Sequence, residues 1–227
     1  TAVYSGNRAD YTVVIDRVTG AWRVVDNRPD SPDGTDLLDD VERLQFADQT
    51  IDIAELPQTA IIVVDATGNG DFTSLQDAIA LAQDGDTIVV KAGTYAGGIT
   101  VDKAITIEGE PGAVIRGSFV SDNDIPDGVT VDEWLQSASR YEAGSGAGIL
   151  IASSNVAISG FAIESFYQGV RFAGGPETLS DIELNGLAIS NVISGIANTY
   201  GNGSTETSKL DGIDISNVSI SHAYQGV

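Results

Sequence analysis

The sequence predicts an all-β protein, a right-handed parallel β-helix (a solenoid) with a short N-terminal capping helix, preceded by a small β-rich module. Three observations predict it. A unit of alternating apolar and polar residues recurs three times in the last third of the chain. Val, Ile, Thr, Ser, Asn and Asp recur throughout with 26 Gly and only 7% aromatics, a composition of strands and turns rather than of helices. A single amphipathic helical stretch lies ahead of the repeats, where a stack of coils needs a cover.

The repeat fixes architecture better than any single propensity. Asn155 to Ile163 aligns with Asp181 to Ile189 and with Gly212 to Ile220, and the units continue to Gly169-Val170, Gly195-Ile196 and Gly226-Val227. The first offset is 195 − 169 = 26 residues and the second 226 − 195 = 31, the excess falling in the polar stretch 198–209 as an inserted loop. Each unit alternates, turns at Gly or Asn, and alternates again, which is two short strands meeting at a corner. One unit cannot cover its own apolar side. Stacked in register, Val156, Ile182 and Ile213 form one ladder and Ile163, Ile189 and Ile220 another, and burying each such side chain contributes roughly 1.5–3 kcal/mol. Residues 87–90, 99–101, 105–107 and 113–115 read as earlier coils with looser spacing, and 121–146 as a second large insertion.

The expected domains are 1–57 and 58–227, with Pro57 at the boundary. In the first, Tyr11 to Ile15 and Trp22 to Val25 flank a turn at Thr19-Gly20 and predict a hairpin. A turn-rich stretch from Asp26 to Asp36 follows, and Val41 to Phe46 alternates as a half-buried strand does. In the second, Ile61 to Val64 is a continuous apolar run, expected to be buried on both faces. Thr73 and Gln76 have capping-box spacing, and Leu75, Ala78, Ile79 and Ala82 form the apolar stripe of a helix over 73–84 that Gly85 stops. Gly68-Asn69-Gly70 is a turn into that helix, because no Gly-Lys-Ser/Thr follows to complete a phosphate cradle.

Composition narrows the chemistry. Eleven Lys and Arg stand against 33 Asp and Glu, a net charge of −22, which repels phosphate backbones and anionic membrane surfaces, so nucleic acid is a poor partner. The charge is not a tail: residues 1–58 hold 12 acidic and 5 basic residues, leaving 21 and 6 for the rest. With no Cys and a single His there is no disulfide, thiolate site or His-rich zinc site within one chain, while oxygen-ligand calcium sites stay open. No apolar run approaches the roughly 18 residues that span a bilayer. Thr1 in place of an initiator Met and the stop after a completed unit read as a segment of something longer.

Gly70 to Ile79 (Gly-Asp-Phe-Thr-Ser-Leu-Gln-Asp-Ala-Ile), followed by Asp84-Gly85-Asp86-Thr87-Ile88-Val89-Val90-Lys91-Ala92-Gly93-Thr94-Tyr95, resembles the opening of pectin-lyase-like β-helix proteins, among them pectin methylesterases and surface β-helix proteins. The resemblance covers about residues 60–227. It implies the β-helix fold, with the short helix over the open N-terminal end. The catalytic motifs of pectin methylesterases and pectate lyases have no match here. Val3 to Tyr11, with Gly34-Thr35-Asp36 and Val41 to Asp48, resembles a segment found beside calcium-binding repeats in RTX-type exported proteins, which implies an extracellular, secreted or cell-surface location. The calcium-binding nonapeptides of that family do not occur.

Candidate sites follow from the repeat and the acidic loops. Tyr167 aligns with Tyr224 and Gln168 with Gln225, with Ile193 and Ser194 between them, and such a ladder outside a solenoid would hold sugar rings by face contact and hydrogen bonds. His222 occupies the corner position of Ser165 and Asn191 and joins that carbohydrate-binding set, although the bland reading is another polar corner residue. Asp122, Asp124 and Asp127, with Gly128 for a sharp turn, have the spacing of a calcium site, against the alternative of a solvated acidic loop. Asp26, Asp30, Asp33 and Asp36 make a weaker case of the same kind. Two function classes compete: a non-catalytic scaffold or carbohydrate-binding segment of a large secreted protein, whose partner is a polysaccharide or cell-surface glycan, and the N-terminal part of a polysaccharide lyase, esterase or epimerase. An uncovered last coil is expected to pair end to end with a second copy.

Overall fold

The structure is a computed structural model that describes residues 1–117, 146–174, 177–198 and 209–225, with the side chains of residues 222, 224 and 225 outside the description. The chain divides into two compact units, Thr1–Ile62 and Val63–Val227.

In the first unit the predicted hairpin forms between β2 (Tyr11–Ile15) and β3 (Trp22–Asp26), antiparallel with Val13 opposite Val24. Gly20 takes the positive φ of 76° that the turn requires, while Asp16 Oδ1 accepts from the backbone N–H of Val18 and Thr19 at 3.0 and 2.9 Å. β3 also pairs with β4 (Thr35–Leu38), an edge strand that begins in the last two residues of the turn-rich stretch from Asp26 to Asp36. A second sheet joins β1 (Ala2–Val3), β5 (Arg43–Gln45) and β6 (Thr50–Asp52), with β1 parallel and β6 antiparallel to β5. The strand expected over Val41 to Phe46 is thus shorter, yet its alternation holds, since Leu44 and Phe46 point into the core. Tyr4, Tyr11 and Phe46 pack there with ring centroids 5.1–5.5 Å apart, alongside Val24, Ile53 and Leu56.

The second unit begins in β7 (Ile61–Val64), which alternates rather than burying both faces: Ile62 and Val64 are core residues, Ile61 and Val63 half-exposed. α1 (Leu75–Leu81) follows and buries Leu75, Ala78 and Ile79. Its cap differs from the expected box. Ser74 is the N-cap, accepting from Asp77 N at 3.3 Å and contributing about 1 kcal/mol. Gln76 instead reaches away, its Oε1 accepting from Thr100 N at 2.8 Å. The helix ends before Gly85, at Ala82, whose ψ of 156° is extended, and the Lys103 ammonium donates to the carbonyls of Ile79 and Ala80, both at 2.7 Å, satisfying the negative end of the helix dipole.

The remaining strands stack in parallel. One stack runs β7, β8 (Thr87–Val90), β11 (Thr106–Gly109), β14 (Val156–Ser159), β16 (Thr178–Asn185) and β18 (Lys209–Ser216). A second places β9 (Gly93–Ala96) and β12 (Ala113–Arg116) beside the first halves of β15 (Ala162–Phe172) and β17 (Ala188–Ala197), and then β19 (Ser219–Gln225). A third pairs β10 (Ile99–Val101) and β13 (Ala147–Ile151) with the second halves of β15 and β17.

Register matches the sequence repeat residue by residue. Val156 lies beside Ile182 and Ile182 beside Ile213. Ile163, Ile189 and Ile220 continue inward from Tyr95 and Ile115. The corners that close each strand are left-handed: Asn155 (φ 55°), Asp181 (55°) and Gly212 (61°) stand at one repeat position, Gly160 (80°), Gly186 (63°) and Asn217 (52°) at the next, and Ser165 (68°) and Asn191 (53°) at a third. Gly and Asn, then Asp, carry this conformation at least cost, which is why those residue types punctuate the repeat. The repeated Gly of Gly169 and Gly195 has a different cause. A Cβ on Gly169 would sit 2.6 Å from the Gly195 carbonyl oxygen, so neighbouring rungs approach only because there is none.

Candidate functional site

The outer rows of the stacks are the surface that the repeat offers a ligand. Along the first stack Thr87, Thr106, Ala157, Glu183 and Asp214 stand in one row, and Glu108, Ser159, Asn185 and Ser216 in the next. On the second stack Arg116, Glu164, Ser190 and Ser221 line up, with Arg116 Nε donating to Glu164 Oε1 at 2.8 Å across adjacent rungs. Lys91 and Glu110 make a similar exposed pair at 2.6 Å. Exposed pairs of this kind add little stability. Hydroxyl, amide and carboxylate side chains predominate in these rows, with Ala157 among them and Arg116 as the cation.

The proposed sugar-stacking set is divided by the corner at Ser165. Strict alternation from Ile163 would place Tyr167 inward and Gln168 outward, but the left-handed residue shifts the parity. Phe166, Gln168, Val170 and Phe172 are buried and Tyr167 and Arg171 half-buried. Gln168 is 3% exposed, so its amide belongs to the interior and not to an outer ladder, which corrects the expected placement. The register expected for the ladder is present, with Gln168 beside Ser194 and Ser194 beside Gln225. Tyr167 remains within reach of a ligand. His222, Tyr224 and Gln225 belong to β19, but their side chains lie outside the described residues, as do Asp122, Asp124 and Asp127 entirely.

In the first unit the acidic stretch is organised by a cation of the chain itself, Arg28. Its Nε donates to Asp26 Oδ1 at 2.9 Å and its Nη2 to Asp26 Oδ2 at 2.8 Å, to Asp33 Oδ2 at 3.0 Å and to the Tyr11 hydroxyl at 2.7 Å. Asp33 also accepts from Tyr11 Oη at 2.5 Å and from Ser5 N at 2.7 Å. The guanidinium lies over the Tyr11 ring, 5.2 Å from its centroid. Hydrogen bonding by Arg28 holds the Asp26 carboxyl far below the usual carboxylate range, and the hydroxyl of Tyr11, then Ser5, lowers that of Asp33. Burial, with the Asp36 carboxylate nearby, pushes the Tyr4 hydroxyl up, and it makes no hydrogen bond of ordinary geometry among the described residues. A Cβ on Gly6 would come within 2.7 Å of Arg28 Cζ, so a larger residue there would have to displace the guanidinium.

Asp26 and Asp33 are therefore occupied as partners of a guanidinium, which removes them from the weaker calcium set, and Asp30 and Asp36 are exposed. Six of the residues quoted for the first module's resemblance build this network or its core: Tyr4, Ser5, Gly6, Tyr11, Leu44 and Phe46. Arg28 itself escaped sequence reading, though a lone cation within Asp26-Asn27-Arg28-Pro29-Asp30-Ser31-Pro32-Asp33 was the available signal. Among the described residues no three Asp, Glu or His side chains converge as ligands for a metal, and no helix is long and apolar enough to cross a membrane. No family model, curated protein or solved structure matches the chain.

Proposed function

We propose that the second unit is a right-handed parallel β-helix of the pectin-lyase-like kind and that the chain serves as a non-catalytic scaffold or carbohydrate-binding segment of a large secreted protein. The observation that carries this reading is the unbroken parallel register from β8 to β18, which repeats short polar side chains along the outside of the stack at about 4.8 Å intervals. A flat row of hydroxyl, amide and carboxylate groups at a fixed interval suits an extended polymer of hydroxyl groups. Tyr167, half-buried on β15, supplies an aromatic face for a sugar ring. Fold alone does not give an activity, so the proposal rests on the surface and not on the resemblance.

A glycan array followed by calorimetry tests it. Binding to a neutral polysaccharide is expected, since the net charge of −22 repels an acidic one, and it should be weakened roughly tenfold by Tyr167→Ala, the loss expected for one aromatic contact. Turnover of pectin or alginate, abolished by a single carboxylate substitution, would instead make the chain part of a lyase, esterase or epimerase. A second copy is the other partner in this reading. In the rung of β18 and β19 Ile215 is 40% exposed, against 0% for its neighbour Leu184, and Ile213 and Ile220 are half-buried. End-on pairing through that edge would cover them. The net charge opposes it, so dimers are expected to increase with salt in sedimentation velocity; a sedimentation coefficient unchanged from low to high salt at high concentration would rule the pairing out.

A further inference from the structure

Two Asn-Gly pairs occupy opposite environments. In this dipeptide the following backbone nitrogen, unhindered by a side chain, can attack the Asn carboxamide. Asn185–Gly186 closes β16, where Gly186 N donates to Ser216 O at 3.1 Å and Asn185 Oδ1 accepts from Asn217 Nδ2 at 3.0 Å. Asn69–Gly70 lies in the turn between β7 and α1. Asn69 is exposed, and Gly70 N has no acceptor among the described residues. Among the described residues the Asn69 side chain is held by one hydrogen bond, from Nδ2 to Thr67 Oγ1 at 2.7 Å. A third pair, Asn202–Gly203, lies outside the described residues.

We propose that Asn69 is a site of spontaneous deamidation, protected at Asn185 by the ladder and left open in the Asp65–Asp71 turn. Gly70 N gives its proton to solvent base and attacks Asn69 Cγ. The N–Cγ bond forms, the Cγ–Nδ2 bond breaks, and the side-chain nitrogen leaves as ammonia. Water then opens the five-membered imide at either carbonyl, giving aspartate or isoaspartate, with no change of oxidation state.

The fold cannot remove this lability by changing the glycine. A Cβ on Gly70 would stand 2.6 Å from the Val63 carbonyl oxygen, so packing demands the residue that exposes Asn69 to attack. The product also meets a changed environment. Thr67 Oγ1 already donates to Asp65 Oδ1 at 2.7 Å, so a carboxylate at position 69 loses its hydrogen bond to that oxygen and joins Asp65 and Asp71 as a third negative charge in the turn.

The test is peptide mapping of the folded protein after incubation in mildly alkaline buffer, with mass and isoaspartate-specific methyl transfer as readouts. Asn69 is expected to convert at least about tenfold faster than Asn185, because the Gly186 amide must first be released by local opening. In denaturant the two rates should converge, and Asn69→Gln should abolish conversion at that peptide without altering the circular dichroism. Equal rates at Asn69 and Asn185 in the folded protein, or an intact Asn69 beside a converted Asn185, would overturn the assignment.

Discussion

Ile189→Asp is expected to unfold the parallel stack, at a loss of about 4 kcal/mol or more. Ile189 is 1% exposed and stands between Ile163 and Ile220 in the inner row. No cation faces it in that row, so a carboxylate there would be buried without a partner. Each rung is held mainly by its neighbours, and a rung lost in the middle separates the coils on either side of it. Ile220→Asp provides the comparison. Ile220 is half-buried in the last described rung, and water can reach a carboxylate there, so its loss is expected to be clearly smaller. Chemical denaturation followed by circular dichroism reads both, and equal losses at the two sites would mean that the ladder does not grade burial along the stack.

Arg28→Met is expected to be the most damaging single substitution in Thr1–Ile62. It removes the cation from Asp26, whose side chain is fully enclosed, and from Asp33, and takes from the Tyr11 hydroxyl one of its two donors among the described residues, leaving the Gly6 N–H. Removing one partner of an enclosed ion pair costs more than the pair itself contributes, because the other charge is left unpaired. Arg43→Met is the internal control: Arg43 and Asp52 are paired at 2.6 Å but exposed, and that change should leave the thermal midpoint nearly where it was. The pH dependence has a definite sign. Asp26 and Asp33 have folded-state pKa values below the ordinary 3.8, so their contribution is fully present above that value and is lost as pH falls below it. In Arg28→Met this acid-side loss should flatten. A variant whose stability falls with acid as steeply as the parent's would show that Arg28 is not what lowers the Asp26 carboxyl.

Much of the second unit was legible in the sequence because the repeat states its own register. Val156, Ile182 and Ile213 align in the chain and pair in the sheet, since inward positions are set by period-two alternation and β-branched side chains pack on a pleated surface. The left-handed corners at Gly and Asn were legible as residue types before any torsion was known, while that at Asp181 was not. Elsewhere the local signal was silent or misleading. β4 is an edge strand with Thr35, Asp36 and Leu37 exposed, and a strand with no buried face has no period to read. Thr73 and Ser74 are equivalent caps by composition; tertiary contacts decide between them, with Gln76 drawn off to Thr100. Gln168 was misplaced because the repeat alignment placed both Tyr167 and Gln168 outside, whereas neighbouring residues of one strand face opposite ways and Gln168 takes the buried side. The Arg28 network was hidden because its partners, Ser5, Tyr11, Asp26 and Asp33, come from separate segments that only the folded chain brings together.

The separation of inner and outer rows gives the stack two independent alphabets. Inside, the choice at each rung is dictated by the rung before it, and Ile or Leu recurs at Ile107, Ile158 and Leu184 because a change of volume is felt by both neighbours. Outside, Thr106, Ala157 and Glu183 occupy successive divisions of the same ruler with no common chemistry, and surface substitutions there cost little, usually within about 0.5 kcal/mol. A lineage can therefore rewrite the side chains that the outer face presents, one division at a time, without renegotiating the fold.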